Sequence, residues 1–140
     1  MLRANLKTSF HREDAKDAKE EFMDLESIRS YCLSFPHVTE DIQWGNNLLF
    51  RVGGKMFVIV DMDISSPGNR LSFKCAPEEH AELIEIEGII PAPYLARYHW
   101  VTLQWLDALE APEIKRLIRN SYNMVYAKLP KKVKAQLGKK

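Results

Sequence analysis

Three cations and one aromatic ring are the side chains best suited to chemistry in this sequence. Arg51, Arg70 and Lys74 fall in β-type stretches, at positions that alternate away from the apolar residues. Trp100 does the same in a further stretch, beside Thr102 and Gln104. Bases interleaved with a π-face are what a nucleic-acid surface uses, the charge for phosphate and the ring for stacking. Lys55 directly follows a Gly53-Gly54 dipeptide, and Pro130-Lys131-Lys132-Val133-Lys134 adds a second basic run, similar to a nuclear-import signal. Each group also has a plainer reading. The sheet face could be solvated, with its tryptophan covered by a loop. The lysine run could be a helix end where cations complement the dipole.

Other chemistry is thinly provided. Asp61-x-Asp63 offers two carboxylates to a hard cation, too few for a site. Glu40 and Asp41 could form an acid–base pair near Trp44 and His99, but nothing in the spacing brings them together. The serines, histidines and two cysteines fit no nucleophile elbow, no Cys-His pair and no paired-histidine metal motif. The expectation is a non-enzymatic protein with no metal and no cofactor.

Composition sets the outer bounds. With 140 residues, 46% hydrophobic and 28% charged, one globular domain is expected, with a core that needs no staples. Net charge is +1, yet residues 113–140 hold nine Lys/Arg against Glu113 alone, whereas residues 12–26 hold three bases against seven acids. The chain is therefore dipolar. Cys32 and Cys75 lie in apolar periodic stretches and read as buried free thiols of a reducing compartment. No run approaches the ~18 apolar residues of a membrane span, and no secretory leader is evident. A cytoplasmic protein without a membrane partner is the expectation.

The elements that must position these residues centre on 47–61. Two apolar runs flank Gly53-Gly54, and two glycines adopt the positive φ of a type I′ turn without steric cost. The pairing expected is Val52 with Lys55, Phe50 with Phe57 and Leu48 with Ile59 on a core face. Arg51 with Met56 and Leu49 with Val58 then share a working face. Before the hairpin, Asp24 caps a helix with Leu25, Ile28, Cys32 and Phe35 on one side, stopped by Pro36. Residues 36–46 read as a loop and 63–69 as a turn. A third strand covers 70–75, a short helix opens at Pro77, 88–93 is a loop, and a fourth strand covers 99–105. A long helix opens at Pro112, with Ile114, Leu117, Ile118, Ser121, Tyr122, Val125 and Leu129 in one stripe. The order α-β-β-β-α-β-α implies an α+β two-layer sandwich, its mainly antiparallel sheet covered by helices on one face and open on the other. Residues 1–22 read as an N-terminal extension before a functional start at Met23, or as an extra helix. Residues 23–133 form the domain, and 134–140 a basic tail.

Several landmarks occur together and in order: Trp44-Gly45, Phe50-x-Val52-x-Gly54-Lys55-Met56-Phe57, Phe73-Lys74-Cys75-x-Pro77-Glu78, His99-Trp100-x-Thr102, and Ser121-Tyr122-x-x-Val125 with Leu129-Pro130-Lys131-Lys132. This run resembles the MmcQ/YjbR family of small bacterial proteins over about residues 23–133. The resemblance implies a frataxin-like (CyaY-like) α+β fold, a bacterial cytoplasmic origin and the family's usual label of DNA-binding protein. That label rests on fold likeness to a double-wing DNA-binding domain, which is a weak warrant for function. It implies no catalytic residues. Lys55 and Lys74 are motif positions suited to anion contact, while Ser121 and Tyr122 fall on the buried stripe and read as structural hydroxyls.

Two functional classes follow. One is a double-stranded DNA-binding module, weak and phosphate-driven, using Arg51, Lys55, Arg70, Lys74 and Trp100 of the open face with Lys131 and Lys132. The other is a protein-interaction or small anionic-ligand module, in which Trp44 and Trp100 of the same face capture the partner.

Overall fold

A computed structural model describes residues 22–62 and 69–138. Helix α1 (Leu25–Leu33) begins where Asp24 and Ser27 cap each other reciprocally, carboxylate to backbone N–H and hydroxyl to backbone N–H, both at 2.9 Å. Strands β1 (Val38–Gln43), β2 (Asn47–Val52), β3 (Lys55–Asp61) and β4 (Arg70–Lys74) follow. Then come helix α2 (Pro77–Leu83), strand β5 (Ile89–Pro91), strand β6 (Trp100–Leu103), the long helix α3 (Ala111–Ala127) and helix α4 (Lys131–Gly138). The six strands form one antiparallel sheet in the order β1-β2-β3-β4-β6-β5. The architecture is α+β, as expected.

Three elements go beyond the expected order. Residues 36–46 are not all loop, because β1 pairs along the whole of β2. Neither is 88–93, where β5 closes the far edge. Short and polar or proline-bearing, both strands hide their period until a neighbour supplies the ladder. Of the basic tail expected over 134–140, residues 134–138 belong to α4. Val133 and Leu137 pack against the core beside buried Leu129, a spacing of four that lays one helix side down. The N-terminal extension expected over 1–22 lies outside the described residues.

The hairpin turns at Gly53-Gly54, with φ of 60° and 83°. Val52 pairs with Lys55 and Arg51 with Met56, as expected. Beyond them a β-bulge sets both Phe57 and Val58 against Phe50, so Leu49 faces Ile59 and Leu48 faces Val60. One extra residue reverses every later side chain. Phe57 stays in the core, but Val58 joins it there and Ile59 passes to the opposite face, the reverse of the expected assignment.

The core lies between the sheet and the helices. Phe50, Phe57, Phe73, Leu71 and Leu103 are fully buried against Ile28 of α1 and Ile114, Leu117 and Ile118 of α3. Ser121 and Tyr122 tie this layer together. The Ser121 hydroxyl donates to the Phe57 carbonyl at 2.7 Å, at the bulge, and accepts from the Lys74 N–H at 3.1 Å. Tyr122 donates to the Pro36 carbonyl at 2.8 Å. Both are structural hydroxyls.

Candidate binding surfaces

The sheet face away from the helices is not the open basic surface that alternation implies. A loop over residues 92–98 folds across it. The Ala92 N–H donates to the Trp100 carbonyl at 3.0 Å, and the Trp100 N–H reaches the Leu95 carbonyl. Beneath this loop Leu49, Ile59 and Trp100 form a second apolar cluster with Ala92, flanked by Met56 and Leu95. Trp100 is only 5% exposed, so its ring cannot offer the stacking face expected of it; it is the floor on which the loop rests.

The cations of this face are also partly engaged. Arg51 binds the Asp41 carboxylate at 3.1 Å and the Gly54 carbonyl at 3.2 Å. Lys74 donates to the Tyr98 carbonyl at 2.8 Å. Partial burial and the nearby Lys128 charge lower the pKa of the Lys74 ammonium. Arg70 makes no ion pair among the described residues.

What remains exposed divides into two regions. The first is a basic end. Gly53 has no space for a side chain, since a Cβ there would lie 2.6 Å from Leu129 Cδ1 and 3.1 Å from Val133 Cγ1. The turn therefore seats the start of α4, which brings Lys55, Lys131 and Lys132, all exposed, to one end of the sheet. Exposed Lys128 joins them there, close enough to act on Lys74. Lys134 is spent locally, capping the Ala127 carbonyl at 3.0 Å and lying over the Tyr126 ring.

The second region is a cleft of about 650 Å³ at the other end of the same sheet face. Its floor is a cross-strand row, Ile59 beside Ser72 beside Thr102, and its end wall is the row Asn47, Asp61 and Arg70. The loop supplies the facing wall, and Trp44 and Tyr94 stand at the mouth, 62% and 99% exposed. Of the residues expected at a site, Arg70 and Trp44 meet here, while Arg51, Lys55 and Lys74 lie toward the basic end. Tyr94 carried no signal of a site in the sequence, whereas Met56 was already expected on the working face beside Arg51. The alternation of β4 did mark Ser72 as facing away from the core, but only the loop turns that face into a cavity.

No group of three or more His, Cys, Asp and Glu converges on a metal-binding geometry among the described residues, and no described helix is long and apolar enough to cross a membrane. Both thiols are buried and free. Burial pushes Cys75 up to about 11 and Cys32 higher still.

Protein DR2400 of Deinococcus radiodurans, a DUF419-domain protein of known crystal structure, is 32% identical to this chain. The alignment covers 84% of this chain and 89% of that one at a TM-score of 0.73. A solved structure from Pseudomonas syringae shares the fold at 24% identity and a TM-score of 0.60, over 74% of this chain and 99% of that one. No curated protein matches. The YjbR family matches residues 33–124, from the end of α1 through most of α3 and so through every strand of the sheet. This chain belongs to the YjbR family.

Proposed function

We propose that this protein acts by binding rather than by catalysis, and that the basic end holds double-stranded DNA weakly through its phosphates. One observation carries the reading: four exposed lysines, Lys55, Lys128, Lys131 and Lys132, gather where the hairpin turn seats α4, and residues 114–138 contain no acid to oppose them. Burial first and the Lys128 charge second disfavour the charged form of the neighbouring Lys74, and an approaching phosphate would offset the second of these. Helix α4 spends Val133 and Leu137 on the core and turns lysines outward, which suits backbone contact without base reading. Two buried thiols fit a reducing, cytoplasmic setting, and the bacterial relatives fit a bacterial one.

Each phosphate neutralised contributes about −0.9 to the slope of log affinity against log salt. Four lysine contacts therefore give a slope of roughly −3 to −4 on duplex DNA, with little sequence preference. Reversing Lys131 and Lys132 together to Glu should flatten the slope by about two units while leaving the melting curve in place. Absence of binding at low salt, or binding that ignores salt, would exclude this mode.

A further inference from the structure

We infer that the cleft on the loop-covered sheet face is a binding site for a small organic monoanion, a carboxylate carried on a flat aromatic body. The site is separate from the basic end, so it stands or falls independently of DNA binding.

The polar groups of the cleft specify the charge. Arg70 lines the end wall without an ion pair among the described residues, leaving a planar fork of donors matched to a carboxylate. Beside it, on the floor, the Ser72 and Thr102 hydroxyls lie 2.7 Å apart. Two hydroxyls carry two protons and the bond between them uses one, so one remains for an acceptor. Thr102 is 4% exposed and Ser72 more open, so Ser72 is the hydroxyl an occupant meets. Asp61 shares the end wall with Arg70. A polyphosphate or dianion would face that carboxylate, whereas a single negative charge on the arginine side would not.

The remaining walls specify the body. Met56, Ile59 and Leu95 give apolar surface, and the cavity volume falls within the range of small-molecule pockets. Trp44 and Tyr94 flank the mouth with backbone φ of 51° and 68°. Left-handed geometry is uncommon for bulky residues, costs on the order of 1 kcal/mol or more, and gathers at functional sites. Here it presents two large rings to solvent at the entrance of one cavity, with no core contact to account for Tyr94, which is 99% exposed. A flat ring entering between them would convert that exposure into stacking.

Calorimetry with 2-naphthoate, against its neutral isostere 2-naphthamide, tests the assignment on the full chain. The naphthoate should bind at one site in the sub-millimolar range and the amide about tenfold more weakly, as expected for one charge-assisted hydrogen-bonded pair. Arg70→Gln should abolish the preference between the two, Arg70→Lys should keep part of it, and Tyr94→Ala should weaken both probes alike. Melting curves check that each variant is folded, and the Lys131/Lys132 double reversal should bind naphthoate as the parent does. Equal binding of acid and amide would make the cleft an apolar groove and overturn the proposal. So would failure of naphthoate to bind, or self-association of the free protein that Tyr94→Ala abolishes, which would make the occupant a second copy.

Discussion

The two faces of the sheet bury similar side chains under different covers. On one, Phe50, Phe57 and Phe73 lie under α1 and α3; on the other, Leu49, Ile59 and Trp100 lie under a loop. Helices present continuous ridges that interdigitate with a pleated sheet, and Phe50, Phe57 and Phe73 keep no exposed surface beneath them. The loop must spend its backbone groups on turns and on Trp100, so it spans the face without filling it, and a cleft remains between its far side and β4. Where a short irregular segment does the covering, apolar residues can be buried and a cavity kept in the same layer.

The contrast can be broken by truncating one residue under each cover. Phe57→Ala should cost about 3–5 kcal/mol, the range for a core aromatic packed on all sides. Ile59→Ala, with one flank on the cleft, should cost about 2 kcal/mol, the low end for its type. Equal losses in denaturant melts would mean that the loop packs as tightly as the helices.

A smaller effect sharpens the helical side. Gly53→Ala forces a Cβ against Leu129 at positive φ, whereas Gly54→Ala meets nothing within 4 Å and bears only the conformational cost. We expect about 1 kcal/mol for Gly54 and about 2 kcal/mol for Gly53 by thermal melts. Equal values would show that the turn does not seat α4. On the loop side, Arg51→Ala removes a half-exposed pair with Asp41 and should change stability by less than about 1 kcal/mol.

The smallest effect is a pH dependence on the helix side. The hydrogen-bonded guanidinium of Arg116 holds the Glu113 carboxyl below its usual range. A carboxyl depressed by folding contributes stability above its unfolded value, about 4.3, and loses it as pH falls toward the folded value. Glu113→Gln should therefore remove a small part of the acid-side slope of Tm and leave Tm unchanged in its pH dependence between about 6 and 8.

Local chemistry was enough to place much of this molecule. Asp24 before an apolar stripe specified α1, two glycines between β-type runs specified the hairpin, and the spacing from Ile114 to Leu129 specified the buried side of α3, with Ser121 and Tyr122 as structural hydroxyls. Those signals rest on backbone preferences and periodicity, which a few neighbouring residues determine. The rest is non-local. At the bulge the Phe57 carbonyl is satisfied by the Ser121 hydroxyl, 64 residues away, which donates to it. Strands β1 and β5 exist because neighbours complete their ladders. The burial of Trp100, and with it the choice between a basic face and a cleft, was decided by a loop whose residues carry no period at all. Alternation tells which way a side chain points from a sheet; only the tertiary structure decides what lies above it.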